Sequence, residues 1–276
     1  MRLAARDSSI TLNGVQCYYR DWGQLSASPI LLLHGFAEQT RSYDTLASSL
    51  ADRWRVLGLD MRGHGASGRT DDYRWEAFVD DIGAFVDTLR LAPITIVGHS
   101  MGGTFGYLYA ARHPETMARL VLIDQAPGAD LQAEAMQKLG PLIKRSTFKG
   151  PEELIEQVQK ILPRYRESEL IRTAFHQLER RPDGRWRWRF DPKLLSPESG
   201  LTPPDVEELL ADLRRVQCPT LLIRGADSEN LSREVAERAV AALPHGTLVD
   251  VPEAGHYVPW ENPEGLSAAI RAFLES

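Results

Sequence analysis

Cysteine is nearly missing: Cys17 and Cys218 are the only two in 276 residues, and they stand far apart. Two such residues cannot build the disulfide framework of a small secreted domain. No Cys-x-x-Cys and no Cys/His cluster offers a zinc ligand set, so no metal is expected. Two reduced thiols in a cytoplasmic chain are the expectation. Long hydrophobic runs are lacking too. No window reaches the ~18 uninterrupted apolar residues of a membrane span. Met1 to Ile10 carries Arg2, Arg6 and Asp7 without the apolar stretch of a secretory signal. A basic excess is also missing, since 32 Lys+Arg face 38 Asp+Glu for a net charge of -6. Nucleic-acid binding needs a basic footprint, so neither nucleic acid nor membrane is expected as a partner. Internal repeats and low-complexity tracts are absent. What is present is ordinary: 43% apolar and 25% charged residues. A chain of this length buries roughly 73% of its open-chain surface, ample for a core without staples. Monomer and homodimer fit equally well.

Apolar runs of strand length recur along the chain. They are Pro29–Leu33, Arg55–Leu59, Ile94–Val97, Leu120–Ile123, Thr220–Ile223 and Leu248–Val251. They are continuous rather than alternating, which predicts strands buried on both faces. Helical patterns between them predict a mostly parallel sheet flanked by helices, an α/β fold. Asn13-Gly14, set between alternating residues from Ile10 to Asp21, predicts an antiparallel hairpin at the sheet edge.

Helix signals are equally local. Leu154, Ile155, Val158, Ile161 and Leu162 mark one face of a helix opening at Pro151. Val206, Leu209, Leu210 and Leu213 mark another, with Thr202 before Pro203 as its expected cap. Val235, Ala239, Val240 and Leu243 mark a third, capped by Ser232. Between Pro127 and about Gly200 the chain has helical patterns but no buried strand. Residues 127–200 therefore read as a mostly helical lid inserted into a core made of 1–126 and 201–276.

The strongest chemical signal is Gly98-His99-Ser100-Met101-Gly102. It follows one strand and opens a helix that ends at His113-Pro114. A serine on so sharp a strand-to-helix turn is a nucleophile elbow, and its neighbours must be glycine to avoid collision. A serine hydroxyl is weak at neutral pH and needs a base within hydrogen-bond reach. His256, in Glu253-Ala254-Gly255-His256, follows the last strand and returns to the carboxyl edge where Ser100 lies. It is the expected base. His64 and His99 read as structural, and His113, His176 and His245 as surface residues. Acyl transfer also needs donors aimed at the oxyanion. The layout points to the backbone N–H groups of Met101 and Phe36, the latter in His34-Gly35-Phe36 after an earlier strand. His34 reads as a brace for that loop, at the border of the substrate pocket.

These motifs, with Asp60 through Ser67, occur in the order used by the α/β-hydrolase superfamily, which the chain resembles over nearly its full length. The resemblance implies an eight-stranded sheet, a Ser–acid–His triad and no cofactor. The acid departs from the common pattern. The family's usual place is the third residue after the glycine that ends the penultimate strand, and Arg224-Gly225-Ala226-Asp227-Ser228-Glu229 holds Ser228 there. Three carboxylates stay open: Asp124, at the end of an earlier strand as in certain esterases and dehalogenases, then Asp227 and Glu229.

In the lid, Arg185 to Phe190 alternates arginine with Trp186, Trp188 and Phe190. Alternation places the aromatics on one face. They cover core, line an acyl pocket, or, least in keeping with the acidic charge, bind nucleic acid or a membrane surface. Met136, Leu139, Leu142 and Ile143 are lid packing or pocket wall, and Trp260 is packing. The function expected is a cofactor-independent, carboxylesterase-like serine hydrolase acting on a small-molecule ester through an acyl-enzyme. Lactone hydrolysis, C–C cleavage and perhydrolysis use the same residues. A non-catalytic small-molecule binding protein on this fold is the alternative from another class.

Overall fold

The apolar runs become neighbours in one eight-stranded sheet in the structure, a computed structural model that describes residues 5–130, 132–201 and 204–276. In chain order the core opens with β1 (Arg6–Leu12), β2 (Val15–Trp22), β3 (Pro29–Leu33), α1 (Asp44–Leu50), β4 (Arg55–Leu59), α2 (Trp75–Leu89), β5 (Ile94–His99), α3 (Met101–Arg112) and β6 (Met117–Ile123). A second stretch carries α4 (Glu134–Ile143), α5 (Pro151–Ile161), α6 (Glu167–Gln177), β7 (Leu178–Arg180) and β8 (Trp186–Trp188). The core closes with α7 (Val206–Leu213), β9 (Thr220–Gly225), α8 (Arg233–Ala242), β10 (Gly246–Val251), α9 (Val258–Glu261) and α10 (Pro263–Glu275).

The sheet order is β1-β2-β4-β3-β5-β6-β9-β10. Only β2 runs against its neighbours, so the sheet is mostly parallel. From β3 the chain winds first to β4 and then back across to β5. That reversal opens a crevice beyond the carboxyl ends of β3 and β5, where ligands bind in such sheets. The β1–β2 turn is the Asn13-Gly14 pair, both at positive φ (46° and 82°) as a tight hairpin demands. Ile30–Leu33, all of β5, and Leu120–Ile123 are buried, as continuous apolar runs require. β10 differs. Leu248, Val249 and Asp250 are only half-buried, because an edge strand has a neighbour on one side alone.

α1 packs with α10, while α2, α3, α7 and α8 pack in a row, giving a helical layer on each face. Ser232 caps α8, its Oγ accepting the Val235 N–H at 3.2 Å. The expected cap Thr202 and Pro203 lie outside the described residues. Asp205 fills the role for α7, accepting the Glu207 N–H at 2.8 Å. The stretch from α4 to β8 is tied to loops at the carboxyl edge. Arg166 N–H donates to Trp260 O (3.2 Å), Arg172 to Arg41 O (2.6 Å), and Asp191 N–H to Gly63 O (2.7 Å). β7 and β8 form an antiparallel ribbon that pairs Leu178 with Trp188. Trp188 and Phe190 are buried and Arg187 is exposed, so the aromatic side of the alternation faces the interior. Arg187 is held by Glu179 at 2.7 Å.

Candidate active site

β5 delivers the chain into Ser100 with φ 50° and ψ -121°, and α3 starts at the next residue. Non-glycine residues in that region cost roughly 1–3 kcal/mol and persist only where the surroundings impose them. Two glycines impose it here. A Cβ on Gly98 would lie 2.4 Å from Gly102 O, and one on Gly102 would lie 2.3 Å from Leu33 O. The turn closes only because both are bare.

His256 follows β10, its ring buried. Its Nδ1–H donates to Asp124 Oδ2 at 2.8 Å. That leaves Nε2 to accept from the Ser100 hydroxyl, 3.2 Å away. Asp124 sits just beyond β6 at φ 48° and is fully buried. Its Oδ1 accepts the Gly225 N–H (2.9 Å), and its Oδ2 also accepts the Ser228 hydroxyl (2.6 Å). Ser228 is the residue in the slot where the common pattern has its acid, and here it donates to the carboxylate that arrives from β6. The structure brings neither Asp227 nor Glu229 to His256. Asp227 Oδ2 pairs with Arg164 at 2.5 Å on the surface, and Glu229 is exposed. Adjacent loop positions project differently, and at Ser228 the inward direction belongs to the serine.

Met101 follows Ser100 as the first residue of α3, and Phe36 stands on the loop after β3. Among the described residues neither backbone N–H has a protein acceptor. The Phe36 loop is a tight turn in which Glu38 N–H reaches Gly35 O (3.3 Å), with Ala37 at φ 62° in the third position. His34 stands behind this loop rather than in a cavity. It is buried, and its Nε2 accepts the Met61 N–H at 3.0 Å. His64 packs 5.0 Å from it and donates from Nδ1 to Arg62 O at 3.0 Å. Burial pushes both histidines down, His64 to about 3, so both stay neutral.

A mostly apolar cavity of about 60 Å³ adjoins Phe36, with Glu38 in its wall. Phe36, Leu139, Leu142, Tyr165, Trp188 and Tyr257 are among its walls. Of the expected pocket residues Trp188 lines it, but His34, Trp186 and Met136 do not. Trp186 uses its backbone to pair with Phe148, extending the ribbon, and Met136 borders a separate open hollow with Gly140 and Lys144. A second hollow of about 230 Å³ reaches His256 from outside, bordered by Arg164, Asp227 and Glu229. Tyr165 and Glu38 were not singled out from sequence, and Ser228 was noted only for its place in the loop. Ser228 had a signal, since it occupied the acid's usual slot, but Glu38 and Tyr165 looked like any surface residue. Among the described residues no three His, Cys, Asp or Glu side chains group as a metal site, and no helix is long and apolar enough to cross a membrane.

Comparison with known proteins points to the same fold. A 3-hydroxybutyrate-oligomer hydrolase of Cupriavidus necator is 29% identical over 271 residues, covering 92% of each chain. A bifunctional esterase/perhydrolase of Acinetobacter calcoaceticus is 26% identical, covering 96% of this chain and 98% of its own. Among solved structures, E-2-(acetamidomethylene)succinate hydrolase superposes with a TM-score of 0.87 at 24% identity, over 99% of this chain and 100% of that one. The family model for the alpha/beta hydrolase fold matches residues 28–263, which takes in the elbow, the β6 carboxylate and the histidine after β10. The chain belongs to the alpha/beta hydrolase family.

Proposed function

We propose that this hydrolase cleaves carboxylic esters with a short apolar acyl group, through a covalent acyl-enzyme on Ser100. The observation that carries the reading is the unbroken line from Ser100 Oγ to His256 at 3.2 Å and from His256 to the buried Asp124 at 2.8 Å. Ser100 Oγ attacks the carbonyl carbon while His256 Nε2 takes its proton. The oxyanion that forms is met by the Phe36 and Met101 N–H groups, which have no other acceptor among the described residues. The intermediate collapses, the C–O bond breaks, and His256 returns the proton to the leaving alkoxide. Water then adds to the acyl-enzyme with His256 again as base, releasing the acid and restoring Ser100.

Asp124 holds the ring in the tautomer that leaves Nε2 free, and Ser228 and the Gly225 N–H hold Asp124. The stretch 127–200 acts as a lid in this reading, because Leu139, Leu142, Tyr165 and Trp188 supply much of the wall of the acyl cavity. A relative named esterase/perhydrolase supports ester chemistry. The test is turnover of p-nitrophenyl acetate and butyrate by wild type and Ser100→Ala. Ester hydrolysis that vanishes in the variant upholds the proposal. Equal inactivity of both proteins across a broad ester panel rejects it in favour of a binding role.

A further inference from the structure

Glu38 transfers no proton in the proposed ester chemistry, yet it is buried and forms part of the cavity wall. Its Oε2 accepts the Gly35 backbone N–H and the Tyr43 hydroxyl, each at 2.7 Å. His99 Nδ1 lies 3.2 Å from Glu38 Oε1 and is hydrogen-bonded to Glu38 Oε2 at 3.4 Å. The His99 ring is wholly buried, and its Nε2 lies 2.9 Å from the backbone carbonyl of His256. With Glu38 ionised, in keeping with its net downward shift, the carboxylate and the His256 carbonyl both accept, and a doubly protonated His99 ring satisfies both. Three loops from three strands meet on this pair: the one after β3 through the Gly35 N–H, the elbow through His99 itself, and the one after β10 through the His256 carbonyl.

We propose that the buried Glu38–His99 ion pair is a positioning unit that holds the oxyanion loop, the Ser100 elbow and the His256 loop in one register. This rests on the reading of Ser100 as nucleophile. Active groups must be held to roughly 0.5 Å, and hydrogen bonds to charged groups are about twice as strong as neutral ones. A neutral His99 donates from one nitrogen only, and a neutral pair grips the loops more weakly.

Burial works against both charges. It lowers His99, but the Glu38 charge and hydrogen bond, the His256 carbonyl and Asp124 outweigh it, and the net shift is upward. Burial raises Glu38, but His99, Tyr43 and the Gly35 N–H outweigh it, and the net shift is downward. The titratable groups around the pair are few. The His256 ring is 4.9 Å from His99, with Tyr257 and Tyr43 at 6.1 and 6.5 Å. Asp124 acts from β6, His34 from the end of β3, and Tyr165 faces Glu38 from the 127–200 stretch. The sign follows. The unit needs His99 protonated, so its contribution is complete below the ordinary histidine value of 6.5 and is lost as pH rises through the raised value. Turnover must then fall on the alkaline side as His99 loses its proton.

The test uses Glu38→Gln, His99→Gln and the double variant in the intact chain. In Glu38→Gln the amide that replaces the carboxylate can accept from Gly35 and Tyr43 and donate to His99 Nδ1, so the shape survives and the charge goes. We expect kcat to fall about tenfold in Glu38→Gln with KM nearly unchanged, and the alkaline limb of kcat to become a plateau. The double variant should be no worse than the more damaged single one. Nitrogen-15 NMR of the wild type should show both His99 nitrogens protonated at neutral pH, and Glu38→Gln should lose that signal. Wild-type kcat in both single variants, a double variant equal to the product of the singles, or a neutral His99 in the wild type each overturns the proposal. So does collapse of the fold in both single variants, which makes the pair a folding element. If wild type and Ser100→Ala are equally inert on esters, the ester reading itself fails. A doubly protonated His99 then marks the pair as structural, which ends the positioning claim too.

Discussion

One carboxylate decides which tautomer His256 presents to Ser100. Asp124→Asn keeps the shape of that contact but offers an amide N–H toward Nδ1, which favours the wrong tautomer. We expect kcat to fall by about 10⁴, with Asp227→Asn and Glu229→Gln within a few-fold of wild type. A steady-state comparison of the three variants on one ester checks this, and an active Asp124→Asn would remove Asp124 from the line. Ser228→Ala takes a donor from a buried carboxylate, a loss of about 1.5–3 kcal/mol. Part of it should appear as a lower kcat and part as a lower unfolding midpoint. At this scale the sequence was readable in unequal measure. Ser100 and His256 announce themselves through glycine-flanked turns after apolar runs. The acid did not, because a carboxylate at a strand end looks the same whether it turns inward or outward. What turned Asp124 inward is the Ser228 hydroxyl 2.6 Å away, and that pairing spans 104 positions of chain.

Protons act on single residues as well. His34 and His64 are neutral in the fold because burial lowers them, His64 to about 3 from 6.5. The unfolded chain takes up protons on both as pH falls below 6.5, so the stability held by the neutral forms is complete above that value and drains away toward about 3. Glu38 adds to the loss on the acid side, since its lowered carboxyl stabilises the fold above 4.5 and ceases to as pH falls through its folded value. Urea midpoints measured across this window should fall steadily. His64→Gln, which cannot take the proton, should flatten the slope, and an unchanged slope in that variant would contradict the assignment.

At the scale of elements, the site depends on how closely β5, α3 and β3 approach. Gly102→Ala drives a methyl to 2.3 Å from Leu33 O, a backbone atom that cannot swing aside. The elbow must open, so we expect loss of turnover greater than the loss of secondary structure, measured by esterase rate beside circular dichroism. A second joint lies between the loop after β4 and α2. Arg62 grips Asp81 with two hydrogen bonds of 2.7 Å, and both side chains are about 4% exposed. Asn13 of the edge hairpin donates to the same carboxylate at 2.9 Å. Asp81→Leu strands a buried guanidinium, for an expected loss of about 3–5 kcal/mol. The double variant Arg62→Met/Asp81→Leu should recover much of it. Chemical denaturation of both decides the matter. Strands and helix faces were legible because periodicity is a local property. The half-burial of β10 was not, because being last in the sheet order is a fact about neighbours.

For the whole molecule, the question is how the 127–200 stretch sets what can enter. Leu139, Leu142, Tyr165 and Trp188 of this stretch wall a cavity of only about 60 Å³. The sequence marked this stretch by its lack of a buried strand, and Leu139 and Leu142 by their apolar spacing. It could not show that Trp188 lines the cavity while Trp186 serves the ribbon, since a period of two does not say which element lies beneath. Each methylene buried from water contributes about 0.8 kcal/mol, so kcat/KM should climb from acetyl to butyryl esters. It should then drop for long chains, which exceed the cavity. Leu142→Ala removes three carbons from a wall of that cavity without touching Ser100, His256 or Asp124. It should move the optimum toward longer acyl chains while leaving the acetyl ester within a few-fold of wild type. A p-nitrophenyl series from acetate to palmitate, run on both proteins, reads this directly. If the two profiles superimpose, the acyl group sits elsewhere, and the 230 Å³ hollow beside His256 and Arg164 becomes the place to look.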